Sequence, residues 1–277
     1  MSDTRNTAND WLNPLINPRV MNELSASLRE QGGDACRFEI PSVLPILPLR
    51  GLVIYPLTAV PIRVGQPRSI RLIDEAVTDN NIIGLVASRD PEIESPSPDE
   101  VFHVGTAAAV HRLAKAPDGT LTLIVQGLVR VQIEEFVQES PYLLARVKTI
   151  PETTDRTLET EALRRSLVEH FTHLIELSPT IPEEMGEMLS NIDDPLQVTY
   201  AIANHIDNEL EEAQEILEMD LLSDKMHRLL NIMAQEVEVL ELGRKIKSEA
   251  QSEMQARQRE YFLREQKKAI QRELGEA

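Results

Sequence analysis

The period of the hydrophobic pattern changes once along this chain, near Pro151, and that change sets the class of fold. Before it, apolar residues come in short runs bounded by Pro, Gly and Asp: 43–50, 59–64, 81–88, 101–113, 120–136 and 142–150. Several runs alternate apolar with polar residues, as half-buried strands do. In the fifth, Leu121, Leu123 and Val125 alternate with Thr122 and Ile124, and Leu128, Val129, Val131 and Ile133 carry it on beyond Gly127. A strand that long must bend to stay on one core, and Gly127 is the expected bulge or kink. Pro117-Asp118-Gly119 supplies hairpin-turn chemistry. Pro45, Pro48, Pro56 and Pro61 lack the N–H that a central ladder needs, so the first strands are expected at sheet edges or irregular. Between the second and third runs, Ile70, Ile73 and Val77 stand at helical spacing. One helix within a curled sheet makes a small pseudo-barrel. The acidic, Pro/Ser-rich stretch 91–100 reads as an exposed loop.

After Pro151 the period is helical. Leu163, Leu167, Phe171 and Leu174 form a stripe that Val168 and Ile175 widen. Thr180-Ile181-Pro182-Glu183 matches a capping box that opens a helix carrying Met185, Met188 and Leu189. Asp194-Pro195 opens the next, with Asp as N-cap and Pro at the first helical position; its apolar residues include Val198, Ala201, Ile202 and Ile206. A short segment with Ile216 and Leu217 completes a bundle over 151–222. From Ser223 to the end there is no proline. Met226, Leu230, Met233, Val237 and Leu240 form a packing seam, which thins beyond Gly243. One helix over 224–274 would be about 75 Å long, more than a small core can cover. Its second half is expected to project into solvent or onto another chain, unless Gly243 breaks it. The class is α+β, with expected divisions 1–42 (a polar, flexible arm holding the small apolar cluster Trp11, Leu12, Leu15 and Ile16), 43–150 (β-rich), 151–222 (helical bundle) and 223–277 (long helix).

Charge and motifs exclude much. The formal net charge is -18. Residues 244–277 carry nine Lys/Arg and six Asp/Glu, a net of +3, so residues 1–243 carry -21. Solubility is the first consequence, and such a body repels nucleic-acid phosphates. No apolar run is long enough to span a membrane, and the first residues lack the basic start and apolar run of a secretory signal. The single cysteine, Cys36, forms no intrachain disulfide and fits a reducing cytoplasm. No Gly-Lys pair occurs, so there is no phosphate-cradling GxxxxGK[ST] loop, and no GxSxG elbow occurs. His170 and His173 can share a helix face but have no third zinc ligand in a recognisable pattern. The acidic pairs Glu183-Glu184 and Glu211-Glu212 are ordinary solvated helix faces. No catalytic, cofactor-binding or metal-binding residue is assigned.

Three separated segments, in order, resemble the N-terminal region of Lon-type ATP-dependent proteases. The first is 44–76, with Leu47–Arg50 as the LPLR element, Val53–Pro56 as V-x-[FY]-P and Pro61–Gly65 as P-[LI]-x-V-G. The second is 121–136, with Gly127 and Arg130 as G-x-x-R. The third is 259–276, similar to the long helix that leads toward the family's ATPase domain. The resemblance spans about 43–277. It implies a PUA-like β-rich pseudo-barrel, a helical bundle and a long C-terminal helix, within a cytoplasmic, homohexameric serine protease that uses ATP and magnesium in a domain outside this chain. It also implies a non-catalytic role, recognising unfolded or damaged proteins and supporting assembly with other subunits. The chain is accordingly expected to be part of a longer protein. The competing class is a stand-alone adaptor that shares the Lon-like β-domain and binds a ligand or protein target without ATPase or protease. Candidate protein-binding residues are Met185, Met188 and Met219, whose thioethers repack easily, and Met254, Tyr261, Phe262 and Leu263 on the thinly apolar helix.

Overall fold

The structure, a computed structural model, describes residues 39–115, 119–153, 157–178, 181–182, 184–206 and 208–273. The arm 1–38, Cys36, the pair Pro117-Asp118 and two members of the expected capping box, Thr180 and Glu183, lie outside the described residues. The chain forms two compact units, one of residues 1–153 with 209–219 and the other of 154–208 with 220–277.

The first unit is a six-stranded sheet ordered β2-β5-β4-β3-β1-β6, and β5 also pairs with β6, which closes five of the strands into a ring. The strands are β1 (Val43–Leu49), β2 (Ala59–Val64), β3 (Ile82–Ala87), β4 (Val104–Lys115), β5 (Leu121–Gln138) and β6 (Leu143–Ile150), with helix α1 (Pro67–Asp79) between β2 and β3. Among the described strands only β1 and β3 pair in parallel. Closure depends on β5 serving two partners: residues 121–126 pair with β2, and the stretch from Arg130 to Gln138 pairs with β6. The change of partner falls at the expected glycine. Ala108 pairs with Gly127 and Ala107 with Val129, so Leu128 is the extra residue of a bulge.

The expectation of proline-bearing edge strands holds for β2, which pairs with β5 alone. It fails for β1, which lies between β3 and β6. The reason is stagger. β6 accompanies Val43–Ile46 and β3 accompanies Ile46–Leu49, so Pro45 and Pro48 each have a strand on one side only. On α1 the buried face is Leu72, Ile73 and Ala76, while Val77 is 38% exposed; the helix is turned from the face that Ile70, Ile73 and Val77 suggest. The interior holds two aliphatic clusters, one around Leu47, Ile73, Leu85 and Leu123, the other around Ile46, Val86, Val131 and Leu143.

The second unit contains α2 (Leu158–Leu177), α3 (Glu184–Ser190), α4 (Pro195–Ala203) and α6 (Leu222–Glu273). Thr157 caps α2, its hydroxyl accepting from the Thr160 N–H at 3.1 Å. Leu167, Phe171, Leu174 and Ile175 are buried. Asp194 caps α4 through the Leu196 N–H at 3.3 Å, with Pro195 at the first position. The core end of α6 buries Leu222, Met226, Leu229, Ile232 and Met233. Lys225 is fully buried there and donates to the Tyr200 hydroxyl at 2.8 Å. Glu159 lies 3.8 Å from His227, and His173 lies 3.3 Å from Glu241. These pairs show α2 and α6 running side by side in the same direction.

Helix α6 is continuous across Gly243. Apart from the helix's own backbone, no described atom lies within 4 Å of where a Cβ would sit there. Gly243→Ala should therefore stabilise the helix by about 1 kcal/mol, the intrinsic propensity difference, seen as slower amide exchange on both sides of residue 243.

Candidate substrate-binding surface

Among the described residues no group of three His, Cys, Asp or Glu side chains is placed to hold a metal ion. His170 Nδ1 lies 2.8 Å from the Ser166 carbonyl on its own helix, and His173 is shared between Glu176 and Glu241. Glu161 is held down to about 2 by hydrogen bonds from Arg164 and Arg165, an ion-pair cluster in the first turn of α2. Burial pushes the Tyr55 phenol up. Each of these contacts ties a side chain to its own helix or to a neighbouring element.

What the molecule does present is an exposed apolar face. From Glu241 to Gln271 every described side chain on α6 is exposed. Val239 (63% exposed), Leu242 (57%), Ile246 (58%), Met254 (59%) and Tyr261 (69%) are large and apolar. The steps from Val239 to Ile246, Ile246 to Met254 and Met254 to Tyr261 are each close to two helical turns, and Leu242 fills the first gap, so the five share one side. Phe262, Leu263 and Ile270 are equally exposed but point around the other sides.

The seven candidate residues are not brought together. Met254, Tyr261, Phe262 and Leu263 are exposed along α6, and Met185 and Met188 are half-buried on α3. Met219 belongs to the other unit, at the end of α5 (Leu210–Glu218). The segment 209–219, expected in the bundle from its periodicity, docks on the sheet. Tyr55 Oη donates to the Ala213 carbonyl at 2.9 Å, and Gln214 Nε2 donates to the Val104 carbonyl at 3.0 Å. Ile216 and Leu217 are buried. The helical pattern was legible, but the pattern does not say what its apolar side meets.

Sequence reasoning named Arg130 only as the arginine of the G-x-x-R element and missed its structural role. Arg130, on β5, is fully buried. Its Nη1 donates to the carbonyls of Leu217 (3.0 Å), Glu218 (3.4 Å) and Met219 (2.8 Å), and its Nη2 to Pro151 (3.4 Å). Its Nε lies 2.7 Å from the Glu152 carboxylate. The available signal was an arginine in the middle of a long apolar strand.

A sequence profile of the ATP-dependent protease La (LON) substrate-binding domain matches residues 43–235. The chain belongs to this Lon substrate-binding domain family. It is 40% identical over 238 residues to a Lon protease of Dictyoglomus thermophilum, matching 86% of this chain and 30% of that protein. It is 37% identical over 234 residues to a Lon protease of Bacillus thuringiensis, matching 84% and 30%. The chain thus spans about 30% of the length of the curated relatives it matches. Among solved structures, the N-terminal domain of a Mycobacterium avium complex Lon protease superposes with a TM-score of 0.57 at 18% identity, covering 69% of this chain and 98% of that one. A Lon N-terminal domain protein from Xanthomonas campestris gives 0.51 at 18% identity, with the same coverage. At that identity the agreement concerns the fold. It places the closed sheet and the helices packed with it among Lon N-terminal domains.

Proposed function

We propose that this chain is the substrate-recognition and assembly module of an ATP-dependent Lon protease that degrades misfolded, damaged and regulatory proteins in the cytoplasm. The reading rests on its membership of the Lon substrate-binding domain family, joined to the exposed apolar face of α6. The chain itself carries no phosphate-cradling loop in its sequence, so ATP, magnesium and the serine nucleophile are assigned to parts of the protease outside it. Folded proteins hide apolar segments and unfolded ones show them. A row of flexible and aromatic side chains at two-turn intervals meets such segments without demanding a sequence. Met254, Tyr261, Phe262 and Leu263 are the contacts assigned on α6, and Met185, Met188 and Met219 are separate adaptable contacts. Among the described residues no helix is long and apolar enough to cross a membrane.

The test is equilibrium binding to casein and to a tightly folded protein of similar charge. Serine at Val239, Ile246, Met254 and Tyr261 together should weaken binding to casein at least about tenfold, some 1.4 kcal/mol. None of these side chains is buried, so thermal stability should hold. Equal binding to folded and unfolded protein, or unchanged affinity in the variant, rejects the reading. For the assembly role, sedimentation of the full protease with residues 243–277 removed should show weakened association between subunits.

A further inference from the structure

The charge of α6 rises along its length, and with it the character of the exposed face changes. Residues 222–253 hold five Lys/Arg and six Asp/Glu, a net of -1, while residues 254–271 hold five Lys/Arg and two Asp/Glu, a net of +3. The placing of three of these cations matters more than their number. Met254, Arg257, Tyr261, Arg264 and Lys268 follow one another at steps of three and four residues, the spacing that keeps side chains on one side of a helix. All five are exposed. The stripe that begins with Val239, Leu242 and Ile246 as an apolar line therefore continues as a line in which apolar and cationic side chains interleave. The ties of these cations within the helix are weak. Arg257 lies 3.4 Å from Glu253 and Lys268 lies 2.9 Å from Glu265, but both pairs are exposed, and such pairs are worth little in water. Arg264 has no acid partner among the described residues.

Resting on the reading of this face as the client site, we infer that it selects unfolded segments by charge: it takes apolar segments that carry acidic residues between their apolar ones, and disfavours equally apolar segments that carry lysine or arginine. Contact with Met254 and Tyr261 brings a client within reach of Arg257, Arg264 and Lys268. A client carboxylate there meets a charge-assisted donor, bidentate where the donor is arginine. A client lysine there meets like charge. The net charge of the chain predicts the opposite preference. At -18 the chain as a whole attracts basic ligands and repels acidic ones, so a preference for acidic segments has to come from these local cations.

The test is fluorescence anisotropy with the full chain and three labelled peptides that share the same Leu and Phe positions and carry Glu, Gln or Lys between them. Three exposed ion pairs at about twofold each should make the Glu peptide bind about tenfold tighter than the Gln peptide, with the Lys peptide weakest. At about 1 M salt, where the screening length is about 3 Å, the ratio should fall toward one. Arg257→Gln, Arg264→Gln and Lys268→Gln together should also bring the ratio to about one; the three side chains are exposed and Gln is a good helix former, so the fold is kept. Arg264→Glu with Lys268→Glu should turn the preference toward the Lys peptide. A Glu preference that survives the triple Gln variant, or a parent chain that binds all three peptides alike, overturns the inference. The Gln peptide separates that failure from failure of the client-site reading: if serine at Val239, Ile246, Met254 and Tyr261 weakens its binding, the face holds clients without choosing their charge, and if it does not, the client-site reading falls as well. A triple variant that changes the sedimentation of the chain alone and leaves the peptide ratio unmoved assigns the cations to contact between copies, and overturns the inference too.

Discussion

Replacing Arg130 by methionine should destabilise the sheet unit by about 3–5 kcal/mol, the range found when one member of a buried ion pair is removed. The magnitude follows from what is left behind. Glu152, with 13% of its side chain exposed, loses the guanidinium 2.7 Å away. The carbonyls of Leu217, Glu218 and Met219 lose the donor at the end of α5. Methionine fills much of the volume, so the loss is polar and not a cavity. Urea unfolding followed through the sheet should show the midpoint fall with little change in slope. The double variant Arg130→Met, Glu152→Met should recover part of the loss, because an apolar pair needs no compensation while a lone buried charge does. A single-variant cost below about 1 kcal/mol, the level of an exposed pair, would show that Glu152 is adequately solvated and that the site is a surface bridge.

The features that could be read in advance were those set by local geometry. The two periodicities gave the strands and the helices because side-chain direction repeats every two residues on a strand and every 3.6 on a helix. Asp194-Pro195 gave a helix start because its capping chemistry is contained in neighbouring residues. Gly127 gave the bend of β5 because a long strand on a closed sheet needs one. The failures have a common cause too. The place of β1 inside the ring depends on the stagger of β3 and β6, which no single strand encodes. The docking of 209–219 on the sheet depends on Tyr55 and Arg130, more than eighty residues upstream. The exposed second half of α6, by contrast, was legible from its length, which a small core cannot cover, and from the thinning of the apolar pattern.

The same substitution at two glycines should have opposite signs, which makes a sharp test of how the sheet closes. At Gly243 alanine has open space and should stabilise. At Gly127 a Cβ would stand 2.2 Å from the Tyr55 carbonyl oxygen, 3.0 Å from its carbon and 3.1 Å from the Pro56 Cα. All three are backbone atoms, so no side-chain rotation relieves the overlap. The segment 53–58 must move away from β5, and it is tied on every side. Leu57 N–H donates to the Gly127 carbonyl and Gly127 N–H to the Thr58 carbonyl, each at 2.9 Å. Thr106 Oγ1 donates to the Ile54 carbonyl at 2.6 Å. Tyr55 reaches on to α5. Overpacking alone costs about 1–3 kcal/mol, and each lost backbone hydrogen bond adds about 1 kcal/mol. Gly127→Ala should therefore cost about 3 kcal/mol or more, measured by the same urea titration, and amide protection should fall first at Leu57 and Gly127. A neutral Gly127→Ala would mean that the loop and β5 are not in contact, and then neither the partner change of β5 nor the anchorage of Tyr55 would stand as described.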